Sequence, residues 1–251
     1  MILIINILFI IIAKTITQFI HITIPTLKRD FGKIYEYQET FFCRFRAYIL
    51  WLLIGCEYWA YTLFVFFRFT RVFYSTHLYL HRLSFYLYKL IPSQYILLFI
   101  STLPTLFLNN YHLLSPHEVY CDVKLKPWYN STYISSIVFG IPYTIMCIFY
   151  IFIVWKMRQP TVHRQVIQHH RRDVAVLRRV LFNTVILATV TYPTTILMIL
   201  YSTSDYYEQL TNRITWLSSS CASILFSSML PLITAQFQLI SKQNKVATTI
   251  T

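Results

Sequence analysis

The sequence predicts an all-α fold, a polytopic transmembrane helix bundle of six spans, and three observations predict it. The 251 residues are 56% hydrophobic and only 12% charged. A soluble domain carries roughly 25% charged residues, so this much apolar surface calls for lipid. Apolar runs of spanning length, roughly 20 residues, recur along the chain. The formal net charge of +13 gathers in alternate loops between those runs, the pattern that orients a membrane protein. That distribution also argues against a nucleic-acid partner and for membrane lipid. The three glycines, Gly32, Gly55 and Gly140, leave no glycine-rich phosphate loop.

The chain reads as one transmembrane domain, residues 1–251, with spans at about 2–25, 44–68, 90–109, 133–156, 177–201 and 214–238. The first run carries a single base, Lys14, near its middle, and the second a single acid, Glu57. The other four have uncharged stretches at Leu90–Leu108, Tyr133–Trp155, Val180–Tyr201 and Ile214–Ile240. The last exceeds one span, so its end is expected outside the hydrocarbon. Met1 to Ala13 lacks the basic region and cleavage site of a signal peptide.

The loops assign the sides. Arg68, Arg71, Arg82 and Lys89 follow the second run with no acid. Lys156, Arg158, Arg164, Arg171, Arg172, Arg178 and Arg179 follow the fourth with one acid, Asp173. The remaining loops mix both signs. The basic loops are expected in the cytoplasm, which puts both ends of the chain there. Asn130-Ser131-Thr132 is a glycosylation sequon in a loop assigned to the outside, so Asn130 is a candidate acceptor. Cys56, Cys147 and Cys221 lie inside apolar runs and are expected to be inert buried thiols.

Further landmarks are ordered along these runs. Cys43 stands at the outer start of the second run, and Arg68 stands at its inner end within Phe67-Arg68-Phe69. Cys121 lies in the third loop. The fourth run carries Phe139, Pro142 and Tyr150. The fifth carries Val190-Thr191-Tyr192-Pro193, and the last carries Leu230-Pro231-Leu232-Ile233-Thr234. In order and spacing these resemble the rhodopsin-like (class A) G-protein-coupled receptors from their second helix to their seventh.

The resemblance implies a seven-helix receptor whose first helix is missing here. It implies a Cys43–Cys121 disulfide; the residues alone leave two unpaired loop thiols open. It makes Arg68 and Tyr150 G-protein-coupling residues and Pro142, Pro193 and Pro231 helix hinges. Asp173 becomes the partner of Arg68 in a resting latch, or else a local offset to Arg171 and Arg172. Several family residues are replaced: the acid before the arginine by Phe67, the ligand-sensing tryptophan by Thr191, and the polar pair around Pro231 by Leu230 and Thr234. Counting from Asn6, Ile11 takes the place of the sodium-binding aspartate. The implied function is transduction of an extracellular signal to a heterotrimeric G protein at the plasma membrane, with no cofactor or metal. Leu50 replaces the aspartate of amine receptors, and Ile224 replaces the lysine that binds retinal. A peptide or lipid ligand is expected rather than an amine, and retinal is excluded.

Lys14 and Glu57 are intramembrane charges, functional candidates by default. They could pair, which offsets the burial of each; a protonated Glu57 or a snorkelling Lys14 are the alternatives. A small transporter using that pair is a rival reading, without the inverted repeats or broken helices of such folds. A non-signalling receptor fragment is another. A histidine-box oxygenase would use His77 and His81 with His163, His169 and His170, but acids and tight spacing are lacking. No enzyme activity is expected.

Overall fold

A computed structural model describes residues 2–32, 40–74, 79, 83–107, 111–113, 120–123, 128–157, 196, 214, 216–221, 223 and 224. Almost all of these are helical: α1 (Ile2–Gln18), α2 (Ile24–Phe31), α3 (Phe41–Phe73), α4 (Leu83–Phe85), α5 (Ile91–Phe107), α6 (Trp128–Ser135) and α7 (Ile141–Met157). A two-stranded antiparallel hairpin, β1 (Tyr111–Leu113) and β2 (Cys121–Val123), sets Leu113 opposite Cys121. The helices merge into four continuous rods, Ile2–Lys28, Phe41–Phe73, Tyr86–Phe107 and Thr132–Lys156. Each is long and apolar enough to cross a membrane. This is the architecture of a multi-pass membrane protein. Of the expected span at 177–201 residue 196 alone is described, and of that at 214–238 residues 214, 216–221, 223 and 224; Asp173, Pro193 and Pro231 lie outside the described residues.

The first rod continues as helix to Phe31, six residues past the expected end of its span, and the second extends past 44–68 at both ends. Thr40 caps α3, its hydroxyl accepting the Cys43 N–H at 3.3 Å, which satisfies one of the orphan amides of the first turn. At the other end, Arg68 and Arg71 continue the helix instead of stopping it. Their guanidiniums lie over the rings of Phe64 and Phe67 at 5.3 and 5.7 Å. A long side chain carries its charge away from the apolar region, so a basic residue marks the interface and not the helix end.

Three rods contain a five-residue π turn, at Phe19–Thr23, Tyr86–Leu90 and Ser136–Gly140. Each is followed directly by Ile-Pro: Ile24-Pro25, Ile91-Pro92 and Ile141-Pro142. The isoleucine N–H bonds the carbonyl five residues back, at Phe19, Tyr86 and Ser136. A proline ring would collide with the carbonyl four residues before it; one extra residue in the turn removes the collision. At Pro142 the widened pattern leaves the Ile137 carbonyl with no N–H from its own helix. The Trp59 indole of α3 supplies it, donating at 3.2 Å. Thr62 of α3 donates to the Pro142 carbonyl at 3.3 Å. The widened turn at Pro142 is thus fastened to α3 by side chains (the usual remedy inside a membrane).

α3 is the central helix, packed against α1, α5, α7 and β2. Its buried residues include Cys43, Leu50, Trp51, Ile54 and Phe64. The outward faces of the surrounding helices are apolar: Ile5, Phe9 and Ile12 on α1, Ile96 and Ile100 on α5, Ile151 and Trp155 on α7 are all exposed. A bundle that is apolar on its outside is built for lipid. Its two ends differ. Thr70 meets the Tyr86 hydroxyl at 3.1 Å, and Phe73 meets Phe152 with ring centroids 6.5 Å apart. Arg68, Arg71, Lys89 and Lys156 therefore share one end. The hairpin lies at the other.

Candidate functional site

Lys14, Gln18 and His21 recur at helical spacing and so line one side of the first rod. Each meets a partner at a different depth. Lys14 is 2% exposed, and its Nζ donates to Glu57 Oε2 of α3 and to Ser223 Oγ, both at 2.7 Å. The ammonium therefore does not snorkel to an interface; it is enclosed and bonded to two other helical segments. Glu57 Oε1 has no hydrogen-bond partner among the described residues. Further out, Gln18 Nε2 donates to Ser220 Oγ at 2.8 Å. The numbers rise on α1 as they fall on the partner, so α1 and the helical residues around 220 run antiparallel.

At the outer end the Cys43–Cys121 disulfide ties the start of α3 to the hairpin, with Cα atoms 5.6 Å apart. The His21 Nε2–H donates to the Cys121 carbonyl at 2.8 Å. Next along β2, Asp122 enters the bundle, 6% exposed. Its Oδ1 accepts the Trp51 indole N–H and the Val123 amide, each at 2.7 Å. Burial pushes the Asp122 carboxyl up to about 6 from 3.8, opposed by these two bonds and by the Trp216 indole. Trp51 meets Trp216 and Phe139 edge to face, centroids 6.5 and 6.1 Å apart, and Phe139 meets Tyr58 at 4.9 Å. A buried acid with an aromatic surround thus sits under a covalently fixed hairpin.

The other candidate residues are dispersed. Arg68 is half-buried at the basic end, and Tyr150 of α7 is buried. Pro142 is buried beside α3. Asn130 sits in the first turn of α6 at 9% exposure. The three remaining cysteines are not equivalent, contrary to expectation. Cys56 is buried on α3, which among the described elements packs against several others, whereas Cys147 is half-buried and Cys221 exposed. All five histidines of the oxygenase reading lie outside the described residues.

Sequence reasoning passed over Asp122, His21, Trp216 and Ser223. Asp122 looked like one more acid in a mixed loop, and only the disulfide and the strand carry it inward. The serines at 220 and 223 had a helical spacing but no visible partner. The chain matches no protein-family model and shows no significant similarity to a characterised protein.

Proposed function

We propose that the chain is a rhodopsin-like G-protein-coupled receptor of the plasma membrane, with six spans corresponding to the second to seventh helices of that family. The observation that carries this reading is the Cys43–Cys121 tie. It fixes a hairpin over one end of the central helix, whose other end carries Arg68 among basic residues. An extracellular ligand beneath the hairpin displaces the Trp51–Trp216 contact. The central helix and the widened turn at Pro142 pass the change to the basic end, where Arg68, Tyr150 and the loop beyond Lys156 meet a heterotrimeric G protein. This is a shift between two packings of one bundle. Asp173 holds Arg68 in the resting packing, and Pro193 and Pro231 complete the set of hinges.

Energy-transfer sensors of heterotrimer dissociation test the reading in intact cells. Basal dissociation is expected with at least one G-protein class, lowered by Arg68→Ala and raised by Asp173→Ala. A surface-expressed chain that is silent with every class, Asp173→Ala included, overturns it. The buried Lys14–Glu57–Ser223 cluster favours one other reading, a small transporter with this pair as its coupling site. Proton or sodium flux into proteoliposomes, abolished by Glu57→Gln, would establish that instead.

A further inference from the structure

We propose that Asp122, with the rings of Trp51 and Trp216, binds an ammonium group carried by an extracellular ligand. This rests on the receptor reading and adds the chemistry the ligand must present.

Two carboxylates are buried in the described bundle, and they differ in one respect. Glu57 has a built-in cation, the Lys14 ammonium at 2.7 Å. Asp122 has none among the described residues. Its partners are neutral: the Trp51 indole and the Val123 amide, both bonded to Oδ1, and the Trp216 indole beside them. A buried carboxylate served only by neutral donors lacks the countercharge that would make its burial favourable. Among the described residues, the elements around it do not supply one. α1 brings His21, which is committed to the Cys121 carbonyl. β1 sets His112 opposite in backbone register. α3 brings Trp51, while Arg46, near its start, is exposed.

The surround suits a cation. Trp51 and Trp216 are both buried against this carboxylate, and indole faces attract ammonium groups more strongly than other rings. A carboxylate with aromatic faces supplies both the charge and the desolvated wall that such a group needs. The site is also held in place. The disulfide is on the residue next to Asp122, so the carboxylate is fixed relative to α3. The hydrophobic Leu50 on α3, fully enclosed, therefore does not exclude a cationic ligand; the hairpin provides the acid from above. A small amine and the free N-terminus of a peptide present the same group.

The test uses the purified full chain in detergent, without G protein, and reads thermal unfolding at neutral pH. The probes are phenethylammonium chloride and the peptide Gly-Phe-Gly, with 2-phenylethanol and N-acetyl-Gly-Phe-Gly as uncharged counterparts. One or both charged probes are expected to raise Tm saturably, and the counterparts to leave it unchanged. A shift with phenethylammonium alone assigns a small amine; one with Gly-Phe-Gly alone assigns a peptide terminus. Asp122→Asn keeps the oxygen that Trp51 and Val123 bond but removes the charge, and should weaken binding about tenfold or more. No shift with either charged probe, or equal affinity in Asp122→Asn, overturns the site. If that variant does not fold, the wild-type pH profile decides: affinity must fall as the solution is acidified through about 6, and an unchanged affinity overturns the site. Binding in a chain that is silent in cells leaves the site and removes the coupling; coupling without binding removes only the site.

Discussion

Removing one member of the Lys14–Glu57 pair strands the other charge among apolar side chains. Glu57→Gln leaves the Lys14 ammonium with neutral acceptors and no countercharge, and a loss of about 3–5 kcal/mol is expected. Replacing both, with Lys14→Met and Glu57→Leu, should recover most of it, because no uncompensated charge remains. Surface expression and thermal inactivation of the two variants check this; a double variant as weak as the single one refutes the pairing. Asp122 behaves in the opposite sense to most acids. Its proton is held more tightly in the folded chain than at the unfolded value of 3.8. The stabilisation is therefore complete below about pH 4 and lost as pH rises through about 6, by up to about 3 kcal/mol. Tm should fall across that window in the wild type and stay flatter in Asp122→Asn.

The three Ile-Pro sites show how a helix accommodates a ring that has no N–H. Each rod widens by one residue, and a neighbour must then satisfy the carbonyl left over. Trp59 does so for Ile137 at 3.2 Å. Trp59→Phe should leave that half-buried acceptor empty and cost about 1–3 kcal/mol. Pro142→Ala restores an N–H at position 142, which can serve the same carbonyl. The Trp59→Phe penalty should then shrink in the Pro142→Ala background, a coupling that a double-mutant cycle in thermal unfolding reads directly. Equal penalties in both backgrounds would show that the indole bond is not tied to the widened turn.

For the molecule as a whole, the disulfide is the covalent constraint, joining residues separated by 78 positions. Closing so long a loop stabilises the folded state by about 4 kcal/mol in the chain-entropy account. Cys43→Ser and Cys121→Ser should each lose this amount, and the double variant no more than either. Tm under reducing and oxidising conditions measures it. Orientation is tested by epitopes. A tag after Lys126 should be labelled on intact cells, and one after Lys156 only after permeabilisation. The reverse pattern would invert the bundle and place the hairpin in the cytoplasm.

Composition and charge placement by themselves determined that the chain is a helical membrane bundle and where four of its rods lie, because lipid demands long uncharged runs and interfaces gather basic residues. They also brought Lys14, Glu57, Cys43 and Cys121 into view, since a charge in an apolar run or a cysteine at its edge stands out locally. Which partners those residues have is not a local property. Ser223 reaches Lys14 across 209 positions, and Asp122 is a buried acid only because the disulfide draws β2 down onto Trp51. The π turns were half-legible: the Ile-Pro pairs are in the sequence, but a helix containing proline can kink, break or widen. Neighbouring side chains decide among these, as Trp59 does, because a freed carbonyl inside a membrane must find its donor in the tertiary packing.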